Sequence, residues 1–321
     1  MTFHPAGIFV PLVTPFTDNG DLAATDLERL AHTVIEEGAA GIVALGTTAE
    51  PAALSRQERR DVLQICRRVC RERDVPLIVG AGSNDTAGTV RAVEELGEEG
   101  DVAGALVVVP YYTRPSEAGV VAHFEHVADR SPVPLVLYNV PYRTGRQLGW
   151  ESILRLSEHP QIVGVKQAVG SVDTDTARLL AETGRTGRSA GSAPAQPGRS
   201  AGSAPAQFSV LAGEDTLVSP LLAMGAAGAI LATANVYTRE FVELFHSWRS
   251  GSTAHARALG NRLVGPAWAL MSEPNPTVVK AALHARGRIP TAHVRLPLLP
   301  ARCVVEDVPL SHRPGFTGQH L

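Results

Sequence analysis

A lysine is the one charge in the apolar run Ile162-Val163-Gly164-Val165-Lys166-Gln167. An ammonium in such surroundings is costly unless it is paired or neutralised. Two readings stand at this point. The side chain can snorkel to the rim of the fold and meet a carboxylate, or its amine can attack a carbonyl and form an imine. The chain has 29 basic residues, and only two of them, Lys166 and Lys280, are lysine. Arginine stays protonated and forms no imine, so position decides whether a retained lysine means anything.

Hydroxyls follow other apolar runs. Gly46-Thr47-Thr48-Ala49-Glu50 offers two hydroxyls and backbone N–H groups to a carboxylate or phosphate, although a plain structural turn fits equally well. Of five tyrosines, four stand in Pro110-Tyr111-Tyr112 and in Tyr138-Asn139-Val140-Pro141-Tyr142-Arg143-Thr144-Gly145. Together these groups tip the reading of Lys166 toward Schiff-base chemistry. A carbonyl substrate needs the lysine for its imine, hydroxyls to move protons and N–H groups to hold its carboxylate.

Such groups need a scaffold that brings strand ends together. Short runs rich in Val, Ile and Leu recur at 7–13, 41–45, 76–80, 104–109, 134–138, 162–166, 208–212 and 228–231. Their nearly continuous apolarity predicts strands buried on both faces. Amphipathic stretches of helical period lie between them at 55–71, 86–96, 116–128, 149–157 and 173–182. The first opens on a Ser55/Glu58 capping box. Eight such units predict a (β/α)8 TIM barrel over residues 1–236, with a doubly wound open sheet as the poorer alternative. Residues 237–321 then hold the last barrel helix, a C-terminal helical extension and a tail. In such a barrel Lys166, Tyr138, Tyr112 and Thr47 all stand at or just past the C-terminal ends of strands, the face that carries chemistry.

One segment breaks the rhythm. The ten residues 187–196 read GRSAGSAPAQ, and 198–207 repeat them letter for letter. Small residues of this kind bury no core. The expectation is a flexible insertion at about 185–207, on the barrel face opposite the site and with little effect on catalysis.

Composition excludes several classes. A net charge of −3 with interleaved signs argues against a nucleic-acid partner. No run of 18 apolar residues predicts a membrane span, and the first ten residues do not read as a signal peptide, so a cytoplasmic protein is expected. Cys66, Cys70 and Cys303 read as reduced thiols rather than zinc ligands. His123 and His126 read as a solvated helix face, and Lys280 as a structural residue.

Taken in order, the strand-end motifs resemble the dihydrodipicolinate synthase/N-acetylneuraminate lyase family of class I, pyruvate-dependent aldolases. Gly46 to Glu50 is similar to the family's Gly-Thr-Thr-Gly-Glu, and Gly164-Val165-Lys166 to its Schiff-base motif. Tyr138-Asn139-Val140-Pro141, Gly213-Glu214-Asp215, Asn275 to Lys280 and Arg295-Leu296-Pro297-Leu298 also match. The resemblance implies an imine between Lys166 and pyruvate, with protons relayed by Tyr138, Thr47 and Tyr112. Thr48, Gly46 and nearby amides would hold the pyruvate carboxylate, and the backbone of Ile230 would line its pocket. It further implies that Tyr112 reaches a neighbouring subunit's site, hence a homodimer or homotetramer, and that neither metal nor organic cofactor is used.

Within the family, Arg143 in Tyr142-Arg143-Thr144-Gly145 resembles the synthase version. It implies a carboxylated aldehyde as second substrate: L-aspartate 4-semialdehyde, condensed with pyruvate to 4-hydroxy-tetrahydrodipicolinate for lysine and diaminopimelate synthesis. A guanidinium suits a carboxylate because it binds through paired hydrogen bonds. A related 2-keto-acid aldolase for another aldehyde or sugar acid is the alternative, and a catalytically silent barrel a more distant one. Two departures stand out. Ala49 replaces a family glycine, which would strain the turn if that residue has positive φ. Arg56, Arg59 and Gly88 replace residues of the family's lysine-inhibition site, so weak or no feedback by lysine is expected.

Overall fold

A computed structural model describes residues 3–188 and 208–302. Apart from its first two residues, the tandem repeat lies outside the described residues, as does Cys303. The strands are β1 (Gly7–Pro11), β2 (Gly41–Ala44), β3 (Leu77–Gly80), β4 (Gly104–Val108), β5 (Leu135–Asn139), β6 (Ile162–Gln167), β7 (Ser209–Ala212) and β8 (Gly228–Ile230). Each pairs in parallel with its sequence neighbours, and β8 closes on β1. The TIM barrel expected from eight buried runs is the observed fold.

Helices fill the connections: α1 (Ala24–Glu36), α2 (Arg56–Glu72), α3 (Thr86–Glu99), α4 (Glu117–Ala128), α5 (Pro141–Thr144), α6 (Trp150–Leu156), α7 (Thr174–Arg188), α8 (Val218–Ala223) and α9 (Thr238–Arg249). The extension adds α10 (Thr253–Leu270), packed on α9, and α11 (Thr277–Ala285). Ser55 and Glu58 form the expected capping box, each side chain accepting from the other's backbone N–H. The sequence reading passes over α1, although Leu27, Leu30, Ala31 and Val34 bury one helical face. Among the described residues, no helix is long and apolar enough to cross a membrane.

Alternation along the strands builds two cores. Phe9, Val43, Ile78, Leu106, Val136, Leu211 and Ile230 fill the barrel interior, while their strand neighbours face the helices. A bulge in β6 decides which way the lysine points. Leu135 pairs with Ile162 but Val136 pairs with Gly164, so Val163 is an extra residue on β6. Val163 belongs to the interior, and strict alternation from it would turn Lys166 outward. The extra residue resets the phase, so Val165 faces the helices and Lys166 lies inside, paired across the ladder with Tyr138. Glycine permits this bend: a Cβ at Gly164 would stand 2.6 Å from the Ser209 carbonyl oxygen.

One expectation fails outside the barrel mouth. His123 is only 5% exposed and not part of a solvated face. The ring packs edge-on against Phe124, and its Nδ1 lies 2.9 Å from the Thr86 hydroxyl. The helical period of α4 places Val120, Phe124 and Val127 on the same inward side, and the histidine goes with them. Burial pushes its pKa down to about 4. Unfolding returns the ring to about 6.5, so in the window between these values the unfolded chain binds a proton that the native chain does not. The part of native stability that His123 contributes is therefore lost progressively as the pH falls through 6.5 toward 4, by about 2 kcal/mol at pH 5. Urea unfolding at pH 7 and pH 5 is expected to show this loss, and His123→Gln is expected to abolish most of it.

Candidate active site

The mouth of the barrel is built from strand ends. Lys166, 8% exposed, is the penultimate residue of β6, and its Nζ lies 4.4 Å from the centroid of the Tyr138 ring. Tyr138 is the penultimate residue of β5. Room for the lysine stem comes from Gly213, where a Cβ would meet Lys166 Cγ at 3.0 Å. After β7, Glu214 and Asp215 bring two carboxyls into range of the lysine. Asp215 is buried and accepts from the backbone N–H and hydroxyl of Thr233, at 2.7 and 2.6 Å. Burial pushes both carboxyls up, most for want of water, while the positive charge of Lys166 opposes that rise.

Gly46 opens the turn after β2 in an extended conformation, and a 3-10 turn (Thr47–Ala49) follows. The N–H groups of Ala49 and Glu50 donate back to Gly46 and Thr47 and close it. Glu50, at φ +53°, takes the left-handed conformation that ends the turn, whereas Ala49 is within the 3-10 turn and not at positive φ. The family glycine replaced by Ala49 is thus not required for backbone freedom here.

A cavity of about 790 Å³ opens beside this turn and Tyr138, and Lys166 is not among the residues that line it. Gly46, Thr47, Tyr138 and Arg143 line it, with Tyr111 and Asn275. Thr48 is buried beside it and accepts a 2.9 Å hydrogen bond from Asn275 Nδ2. Ile230 lies in the barrel interior, paired with Phe9. Arg143 stands on α5, exposed and 5.8 Å from the Tyr142 ring. Its loop is clamped by Asn139, which accepts from the Leu148 N–H and donates to the Leu148 carbonyl and to Gln167.

Tyr112 is the candidate that this single chain does not bring in. It is 87% exposed, at φ +70°, and does not line the cavity.

Residues 4–186 and 199–306 match the model of the dihydrodipicolinate synthetase family. The chain belongs to this family. The break in the match falls on the tandem repeat, which marks twelve residues there as additional to the family pattern. A 4-hydroxy-tetrahydrodipicolinate synthase from Methanothrix thermoacetophila is 37% identical over 294 residues, 92% of this chain and 91% of that protein. A chloride-inhibited dihydrodipicolinate synthase from Acinetobacter baumannii, solved with pyruvate, superposes with a TM-score of 0.81 at 33% identity, covering 92% and 93% of the two chains. A monomeric dihydrodipicolinate synthase variant superposes with a TM-score of 0.82 at 32% identity, covering 92% and 91%. The protein is an enzyme of the lyase class, as its family and relatives indicate.

The sequence gives Lys280 a structural reading and a match to a family motif, with its role open. The structure buries it completely and joins its Nζ to Glu50 Oε1 at 2.8 Å, next to the turn that carries Thr47 and Thr48. Burial pushes this lysine down to about 8, against the pull of Glu50. The signals in the sequence were the scarcity of lysine and the match of Asn275 to Lys280 to a family motif.

Cys66 and Cys70 are buried free thiols on α2, away from the mouth, and burial pushes both up. Among the described residues, no cluster of three or more His, Cys, Asp or Glu side chains is placed to hold a metal ion.

Proposed function

We propose that this protein is a 4-hydroxy-tetrahydrodipicolinate synthase that joins pyruvate to L-aspartate 4-semialdehyde through a Schiff base on Lys166. The observation that carries this reading is the placement of Lys166 Nζ against Tyr138 at the barrel mouth. The Lys166 amine adds to the pyruvate ketone, and water leaves to give the imine. Loss of a proton from the pyruvate methyl group gives an enamine, whose carbon attacks the aldehyde and leaves a hydroxyl there. The amino group of the semialdehyde then adds to the imine carbon and displaces the Lys166 amine, closing the ring. The lysine is itself the electron sink, so this scheme uses no metal and no organic cofactor.

In this reading Tyr138 and Thr47 move protons. Tyr112 serves the same relay from a neighbouring copy, which accords with its exposure and calls for at least a dimer in solution. Gly46, Thr48 and the amides of their turn hold the pyruvate carboxylate, and the Ile230 backbone lines the pocket. Arg143 grips the carboxylate of the aldehyde. Its work is cytoplasmic, as part of lysine and diaminopimelate synthesis.

Borohydride reduction in the presence of pyruvate, followed by peptide mass spectrometry, tests the reading. A pyruvate-derived adduct on Lys166 supports it, and no adduct refutes the mechanism. Arg143→Ala is expected to raise KM for the semialdehyde about 10- to 100-fold, the scale of a lost charge-assisted pair. The KM for pyruvate should stay within about twofold, because Arg143 does not touch the first substrate in this scheme. Equal losses for both substrates would remove Arg143 from that role.

A further inference from the structure

The C-terminal extension meets the turn from Gly46 to Glu50 at three points. Asn275 donates to the Thr48 hydroxyl. Lys280 donates to one oxygen of Glu50, and the Arg295 N–H donates to the other at 2.9 Å. The Arg295 guanidinium pairs with Glu58 at the start of α2 and donates to the Ala53 carbonyl. Phe16 serves both cations, with Lys280 Nζ at 4.1 Å and Arg295 Cζ at 4.3 Å from its ring.

The chemistry of this clamp is selective. Both oxygens of Glu50 are engaged, so its carboxylate is fixed and its left-handed backbone with it. Thr48 receives a hydrogen bond on its oxygen, which leaves its own proton free to be donated elsewhere. A buried ion pair is weak evidence for stability, because desolvation offsets most of its attraction. Its value here is geometric: it fixes the end of the turn that carries Thr47 and Thr48.

We infer that Lys280 and Asn275 are positioning residues, which hold the turn from Gly46 to Glu50 in the geometry that receives a substrate carboxylate. This rests on the functional reading above, in which that turn binds pyruvate. It also accounts for the second lysine of an arginine-biased chain. Lys280 is 0% exposed and meets one carboxylate oxygen and one aromatic ring. Arginine there would bring five N–H donors to a site with one acceptor for this side chain.

The test uses the full-length enzyme and the variants Lys280→Met and Asn275→Ala. The pyruvate concentration for half-maximal borohydride trapping on Lys166 is measured, with KM for both substrates and thermal melting. Both variants are expected to raise half-saturation by pyruvate about tenfold, the scale of one lost hydrogen bond to a charged group. Trapping at saturating pyruvate should stay complete, and KM for the semialdehyde should stay near wild type. A lowered melting temperature with unchanged half-saturation would show a purely structural role and overturn the inference. Asn275→Ala removes no charge, so it decides the question if Lys280→Met does not fold. No adduct on wild-type Lys166 would instead refute the functional reading, and this inference with it.

Discussion

Lys166→Arg is expected to abolish turnover and leave no borohydride-trappable pyruvate adduct. The rate should fall on the order of 10⁴-fold or more, the scale on which loss of a covalent nucleophile is read. The charge is unchanged, so the test separates chemistry from electrostatics. A guanidinium is protonated at every pH the enzyme survives and has no lone pair to give to a carbonyl. Glu214 and Asp215 would still have a cation nearby, and the barrel should still close around it. Melting temperature and circular dichroism are measured alongside to show that the fold is intact. Lys166→Met serves as the neutral control and is expected to be equally inactive. Retention of more than about 1% of wild-type turnover by the arginine variant would rule out an obligatory imine at this position.

The barrel was legible because a parallel sheet buries both faces of each strand. Short, nearly continuous apolar runs such as Leu135 to Tyr138 and Ile162 to Val165 fit strands of that kind, and eight of them alternating with helical stretches fit a barrel. The placement of candidate residues at the barrel mouth was legible wherever they stand near the end of a strand, as Tyr138 and Lys166 do. The orientation of Lys166 was not. Counting along β6 gives its place in the strand, but its inward turn depends on the bulge at Val163, and a bulge is a property of two strands. Gly164 inside an apolar run was the available sign. His123 was misread because spacing from His126 was weighed without the apolar residues Val120, Phe124 and Val127 that share its side of α4.

The Lys280 clamp was illegible for a different reason. Its partner Glu50 is 230 residues away, and nothing local in Asn275 to Lys280 refers to it. Propensity and periodicity describe neighbours in sequence, whereas a buried ion pair is set by which loops the fold brings together.

Tyr138→Phe is expected to give the second-largest loss, about 10²- to 10⁴-fold in kcat, the range for a removed general acid–base. The argument turns on what the substitution keeps. The aromatic ring against Lys166 Nζ remains, and so does the packing of the side chain in the barrel interior. Only the hydroxyl goes, and with it the proton carrier that the proposed scheme assigns to the imine. Pyruvate should therefore still form the adduct on Lys166 at saturation, only more slowly, and KM for pyruvate should move little. That pattern differs from Lys166→Arg, which forms no adduct, and from Lys280→Met, which forms it at higher pyruvate. Stopped-flow measurement of enamine formation separates the three. If Tyr138→Phe slows neither imine formation nor turnover, proton transfer does not pass through this hydroxyl. The ring would then act on Lys166 by contact alone, and the relay would have to run through Thr47 and the Tyr112 of a neighbouring copy.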